Sequence, residues 1–384
     1  VKNKLLLVHN IVAPYRTPLF EVLSETHDLT VLFCRKNTNE RRWDNKLSNH
    51  IYNFVFLLNI KTGPFVLNPG LPFYLIMHQS EIYIIIDNEE NIFSNLCVTL
   101  FAKIKRRPYV LWSGHIPIEG GTTQPMSFHN SFFHRWPFKS IFIKLSDVLL
   151  QYLYDNASTF LAYSPASETY LVSRGAKSNN IIVGTQAMSP ILLPSVTKTI
   201  DLGNMNIQLL YLGYLRPEKG INILIQAMLQ LSSKSNVELH IVGDGPEKDT
   251  ILKQIEKVSN VHFHDYANTQ ERANWYSSVD VTILPTFYDP WGHTVTESLY
   301  YGTPVIVTSS AAASSVIRDG MNGFVFNAGN VGELVNILNN LSHIKIERMK
   351  KYIKSSNDPR LYDVRADAKN FNKAINMALK GENK

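Results

Sequence analysis

Two carboxylates, Asp289 and Glu297, stand in one short stretch with seven residues between them, and Gly292, His293 and Thr294 lie in the gap. A helix is expected to start at these three residues. The first amides of a helix lack intrahelical partners, so the N–H groups at 292–295, ending at Val295, could hold a phosphate. Glu297 would then fall on the first turns, near a ribose, where a carboxylate can accept from two hydroxyls. Asp289, outside the helix, could accept from the hydroxyls of a sugar. Each acid alone has an ordinary explanation, since a glutamate favours a helix N-terminus and an aspartate favours a turn. The two together with the glycine, at this spacing, point to a ligand.

Two other loops carry similar chemistry. After the apolar run 209–212 come Gly213, Tyr214, Leu215, Arg216, Pro217, Glu218, Lys219 and Gly220. Arg216 and Lys219 sit just before a helical pattern, where two cations suit a diphosphate through charge-assisted hydrogen bonds. The alternative is a solvated basic turn. After 237–242 come Gly243, Asp244, Gly245 and Pro246. These glycines allow close backbone approach, either in a tight turn or against a nucleotide.

These loops need strands to aim them. In the second half, apolar runs at 209–212, 237–242, 261–264, 281–284, 305–308 and 323–326 alternate with helical patterns at 221–231, 246–258, 269–278, 294–301 and 331–341. The first half repeats the scheme, with strand runs at 5–9, 29–34, 52–58, 82–86, 109–112, 160–163 and 181–183 and helical patterns at 18–26, 91–104 and 141–153. Continuous apolar strands alternating with helices predict parallel sheets covered on both faces. Such sheets bind ligands beyond the carboxyl ends of their strands, where all three loops fall.

A chain of 384 residues, 45% hydrophobic and 18% charged, can bury two cores. The irregular segment 189–206 contains Pro190, Pro194 and Gly203 and separates an N-terminal unit, 1–188, from a C-terminal unit, 189–360. A final helical pattern, 361–379, is expected to pack back on the first unit. Cys34 and Cys97 have no metal-ligand or disulfide-framework spacing. No apolar run reaches bilayer length, and residues 1–9 read as a buried strand, so a cytoplasmic protein is expected.

The three loops, in this order, resemble the retaining glycosyltransferases of family 4, the group 1 glycosyltransferases of GT-B fold. The resemblance covers residues 209–326 closely. It implies an α/β fold of two Rossmann-like, doubly wound domains facing across a cleft. It implies metal-independent transfer of a sugar, with retention, from a UDP- or GDP-linked nucleotide-sugar co-substrate, and no cofactor. Glu297 matches the acid that contacts the ribose. Asp289 stands where the family usually has a glutamate against the donor sugar, and Lys219 matches the lysine at the donor phosphates. Tyr214 replaces a frequent arginine, and Arg216 lies two places on.

In the N-terminal half, Pro14, Tyr15 and Arg16 resemble a family subset with this triplet where other members have a glycine pair. His115 follows a strand, where many members place a histidine near the donor sugar. The first half also carries nearly all of the net positive excess: residues 1–186 contain 18 Lys and Arg against 13 Asp and Glu, in a chain whose net charge is +6. Two basic, aromatic stretches, 103–109 and 132–144, are compatible either with an anionic membrane surface or with a helix whose aromatic face is core. The first alternative goes with a lipid-linked or cell-envelope glycan acceptor and a place on the inner face of the membrane. No nucleic-acid motif is present. No two aspartates are spaced as Asp-x-Asp, the motif with which the other large transferase architecture holds a divalent ion. The rival readings are a nucleotide-sugar 2-epimerase of the same fold and a non-catalytic relative.

Overall fold

The computed structural model describes residues 2–36, 51–63, 65–117, 139–203, 205–231, 236–256, 258–356, 358 and 361–381. The chain divides into two compact units, 1–189 with 362–384, and 190–361.

Unit 1 begins with β1 (Lys4–His9), whose residues after Lys4 are all buried. It continues through α1 (Thr17–Thr26), β2 (Asp28–Phe33), β3 (Asn53–Phe56), a small hairpin β4 (Ile60–Thr62) and β5 (Phe65–Leu67), and α2 (Leu71–Met77). Then come β6 (Ile82–Ile86), α3 (Ile92–Ile104), β7 (Tyr109–Ser113), α4 (Lys139–Asn156), β8 (Thr159–Ala162), α5 (Pro165–Ser173) and β9 (Ile181–Val183). The main sheet is parallel with order β3-β2-β1-β6-β7-β8-β9. Alternate residues of β1 feed the two faces: Leu6 and Val8 pack into one core and Leu5 and Leu7 into another. Burial on both faces explains why these strands read as unbroken apolar runs.

Unit 2 runs β10 (Ile207–Leu212), α6 (Ile221–Gln230), β11 (Val237–Val242), α7 (Lys248–Ile255), β12 (Val261–His264), α8 (Thr269–Ser278), β13 (Val281–Leu284), α9 (His293–Tyr300), β14 (Val305–Thr308), β15 (Gly323–Phe326), α10 (Val331–Asn339) and α11 (His343–Ser356). Its parallel sheet has order β12-β11-β10-β13-β14-β15, the Rossmann order counted from its own first strand. The chain then returns to unit 1 as α12 (Val364–Gly381), which packs Phe371, Ala374, Ile375 and Ala378 into the core shared by Leu5 and Leu7. No helix among the described residues is long and apolar enough to cross a membrane.

One face of the unit 2 sheet carries polar rings. His240 Nδ1 lies 3.1 Å from His264 Nε2, and His240 Nε2 lies 2.7 Å from Gln208 Oε1. His262 stacks on His240 at 5.2 Å, Trp275 covers His264 at 4.6 Å, and Glu238 stands 3.7 Å from His262. Burial first, then the neighbouring rings of His264 and His262, press His240 down to about 4, against the weaker pull of Glu238. A histidine held neutral by the fold contributes stability above its ordinary value near 6.5, and loses it as pH falls from there to about 4. The expected result is a thermal midpoint that drops across this window, by a contribution of at most about 3 kcal/mol. His240→Gln should flatten the drop. Melting curves with the same acid dependence in both proteins would remove this account.

Candidate active site

In an open parallel sheet the ligand crevice lies where the strand order reverses. In unit 2 that point is between β10 and β13, which are hydrogen-bonded neighbours. The loops leaving these two strands carry Lys219 and Asp289.

Glycines let the first loop lie against the loop after β11. The Gly213 amide donates to the Val242 carbonyl at 3.1 Å, and the Leu215 amide donates to the Asp244 carbonyl at 2.9 Å. A Cβ at Gly243 would stand 2.0 Å from the Gly213 oxygen, and one at Gly245 would stand 2.5 Å from the Leu215 oxygen. Loop-to-loop packing therefore requires a residue without a Cβ at 243. Further along, Pro217–Lys219 forms one tight turn, and Gly220 starts α6 in the left-handed region with φ 69°. A Cβ at Gly220 would collide with the Pro285 carbonyl oxygen at 1.9 Å, so the two switch-point loops touch here through bare backbone.

That contact is fastened. The Phe287 amide and the Thr286 hydroxyl both donate to the Glu218 carbonyl, at 2.8 and 2.9 Å. The next residue along, Lys219, is thereby set against the second loop. Its Nζ donates to Asp289 Oδ2 at 2.7 Å, across 70 residues of sequence. The other carboxylate oxygen, Oδ1, accepts from the Trp291 amide at 3.2 Å. Burial alone would raise the Asp289 carboxyl. The charge and hydrogen bond of Lys219, the Trp291 amide and the nearby His293 outweigh it and hold the carboxyl below its ordinary value. The site thus keeps an ionised, half-shielded acid paired to a cation.

Gly292 caps α9 with φ 95°, a left-handed conformation that favours glycine. The half-buried His293 and Thr294 follow, and the Thr294 hydroxyl lies 3.3 Å from the Leu212 carbonyl. The amides expected to be open at 292–295 are not all open. The turn tightens, and the Val295 N–H donates to the Gly292 carbonyl at 2.9 Å.

Glu297 faces inward and is 5% exposed. Its Oε1 is paired with the Arg272 guanidinium, and its Oε2 accepts from the Tyr276 hydroxyl at 2.8 Å. Both partners come from α8, one turn apart. Sequence reading did not select them. A cation and a phenol at i and i+4 on one helix are too common to mark a site, and only the tertiary contact reveals their use. Glu297 gives Arg272 its largest upward push, and burial drives the Tyr276 phenol well above its usual value. The Glu297 carboxylate is therefore gripped at both oxygens, and each oxygen retains a second acceptor direction.

Arg216 does not join Lys219 at Asp289. Its guanidinium stands 4.9 Å from the centre of the Tyr214 ring, and its Nη1 is 3.6 Å from Glu218 Oε1. Among the described residues no group of three or more His, Cys, Asp or Glu could hold a metal ion.

Unit 1 has its own cluster beyond its strand ends. Pro14–Arg16 forms a tight turn after β1. It buries Arg16, whose guanidinium lies 4.3 Å from the Trp112 ring and 5.0 Å from the rings of Tyr15 and Tyr163. Arg16 is thus a packing element in the floor of this loop. His115, after β7, sets Nε2 2.8 Å from the Asp87 carbonyl oxygen and 3.5 Å from Glu89 Oε1. Burial would lower the imidazole, but Asp87 and Glu89 together raise it, so His115 leans toward the protonated form. On α12, burial pushes the Asp367 carboxyl up to about 7, against the pull of Arg16 and of the Thr185 and Ala187 amides.

Comparison with known proteins bears on this geometry. Residues 198–358 match the family described as Glycosyl transferases group 1. That match lies wholly within unit 2. The match contains every element of the switch-point site, from Lys219 through Arg272 to Glu297. An uncharacterized glycosyltransferase of Methanocaldococcus jannaschii is 32% identical over 118 residues, 30% of this chain and 30% of that protein. A lipopolysaccharide core biosynthesis glycosyltransferase of Rhizobium meliloti is 30% identical over 119 residues, 31% of this chain and 34% of that one. The chain thus spans about a third of the length of these curated relatives. Among solved structures, Anabaena HepE in complex with UDP superposes with a TM-score of 0.72 at 17% identity, covering 97% of this chain and 99% of that one. At that identity the likeness establishes the fold, which is GT-B: two Rossmann-like units of parallel sheet.

Proposed function

We propose that this chain is a retaining glycosyltransferase of the family 4 type. It moves a sugar from a UDP- or GDP-linked donor to a glycan or lipid-linked glycan in cell-envelope polysaccharide synthesis. The observation that carries the reading is the Lys219–Asp289 pair at the switch point of a unit that matches the group 1 family, beside the helix that carries the braced Glu297. Glycosyl transfer builds positive charge on the sugar ring and negative charge on the departing diphosphate. Lys219 supplies a fixed cation for the diphosphate, and the amides around Gly292 supply dipoles beside it. Asp289, kept ionised, accepts from the hydroxyls of the transferred sugar. Glu297 offers its remaining acceptor directions to the ribose. Among the described residues neither acid has a partner carboxylate placed as a nucleophile–acid pair, which favours a route in which the leaving phosphate takes the acceptor's proton. The core-synthesis relative supports an envelope acceptor, and the Anabaena structure's UDP supports a uridine donor.

A thermal-shift series across UDP- and GDP-sugars tests the reading. The right donor, well above its dissociation constant, stabilises by about 2–4 kcal/mol. Turnover with acceptor should persist in a chelator, since the sequence has no Asp-x-Asp ion motif. Silence toward every sugar nucleotide would overturn the proposal. Donor converted to a new sugar nucleotide without acceptor would instead indicate a 2-epimerase, and binding without any turnover a non-catalytic relative.

A further inference from the structure

Three successive helices of unit 1 leave large apolar side chains in water. On α2 the residues at i, i+3 and i+4, namely Phe73, Ile76 and Met77, are 73%, 59% and 77% exposed. On the adjoining α3, Leu100 and Ile104 are 43% and 76% exposed, and on α4 Val148 is 64% exposed. The helices are neighbours, α3 packing against both α2 and α4. Single exposed leucines are ordinary, but an apolar stripe continued across three adjacent helices marks a contact surface.

The charge beside it is mainly positive, the acids being Asp147 and Asp155 of α4. Neither α2 nor α3 contains an acidic residue. At the C-terminal end of α3, Lys103, Lys105, Arg106 and Arg107 are all exposed. The acid of α4 nearest the stripe, Asp147, is engaged by Arg174 at 2.8 Å. Of the two basic stretches in the sequence, the first, 103–109, therefore lies at the rim of this surface. In the second, residues 132–138 and the side chains of 139–143 lie outside the described residues.

We infer that the α2–α3–α4 face of unit 1 docks on an anionic lipid bilayer, with its apolar side chains entering the interface and the cluster at 103–107 meeting lipid phosphates. A second copy of the chain fits less well, because a two-fold contact through this face would bring two cation clusters together. The inference stands apart from the transferase reading, since binding is measured without donor or acceptor.

Co-sedimentation of the full chain with phosphatidylcholine vesicles, with and without phosphatidylglycerol, tests it. Binding should require the anionic lipid and weaken as salt is raised. Two variants change only exposed side chains. Lys105→Glu with Arg106→Glu and Arg107→Glu should lower the vesicle partition by roughly 100-fold. Phe73→Ser with Ile104→Ser should lower it at least about 10-fold. Both should keep the wild-type thermal midpoint. Absence of binding to anionic vesicles, or binding indifferent to lipid charge and to both variants, overturns the inference. Concentration-dependent self-association abolished by Phe73→Ser and Ile104→Ser would also overturn it, making the face a protein interface.

Discussion

Lys219→Ala should reduce sugar transfer by roughly 100–1000-fold, the usual consequence of removing one preorganised donor from a developing negative charge. The protein should remain folded. Lys219 and Asp289 are 25% and 18% exposed, so the lost pair costs about 1–2 kcal/mol, between the values for surface and buried bridges. The pair itself supplies the control. If Lys219 served only to keep Asp289 ionised, the double variant Lys219→Ala, Asp289→Asn would be no worse than Asp289→Asn alone. If Lys219 meets the diphosphate, the double variant is worse by most of the lysine effect. Steady-state rates on purified protein with matched melting curves decide it. A folded Lys219→Ala enzyme with near wild-type rates would remove the lysine from the mechanism.

Arg272→Ala should be the most damaging single truncation for stability near the site. It strips one partner from a carboxylate that is 5% exposed and leaves the Tyr276 hydroxyl alone to hold it. Breaking a fully buried pair costs several kcal/mol, and Arg272 is 31% exposed, so a loss of about 2–3 kcal/mol is expected. In a unit of this size that lowers the midpoint by roughly 5–10 °C. The freed Glu297 should also swing, raising KM for the donor. Arg272→Lys keeps the charge without the planar fork and should rescue only in part. Tyr276→Phe removes one hydrogen bond and should cost about 1 kcal/mol. An Arg272→Ala protein that melts with wild type and binds donor equally would show that Glu297 needs no brace.

Much of this was legible before any coordinates, and the reasons are physical. The strands of both sheets are buried on two faces, so they read as apolar runs such as that of β6. The strand order then places the loops after β10 and β13 side by side, which is why Lys219 and Asp289 could be expected in one site. Elements with weaker signals went unread. Ser164, Pro165 and Glu168 spell the start of α5, with the serine capping the Ser167 amide at 3.2 Å. The three-residue strands of the β4–β5 hairpin are too short to show a period. Helix α11 carries its apolar set at Ile346, Met349 and Ile353 within a heavily charged segment. The brace on Glu297 was illegible for a different reason: it joins residues 21 and 25 positions apart, on helices whose own patterns do not announce the pairing. At Gly243 the sequence leaves a tight turn and a nucleotide contact both open, and the structure adds a steric reason for glycine, the neighbouring Gly213 carbonyl.

The passage of α12 back into unit 1 has a consequence for biogenesis. Phe371 meets Trp112 at 4.8 Å, and Arg365 pairs with Glu25 at 2.7 Å, so residues more than 250 positions apart close one hydrophobic interior. Unit 2 is contiguous and can consolidate as soon as it clears the ribosome. Unit 1, although translated first, lacks its last wall until the final helix emerges, and until then it exposes the apolar surface that Phe371, Ala374 and Ile375 will cover. The order of synthesis therefore does not match the order of completion, and unit 1 must wait for residues made after unit 2.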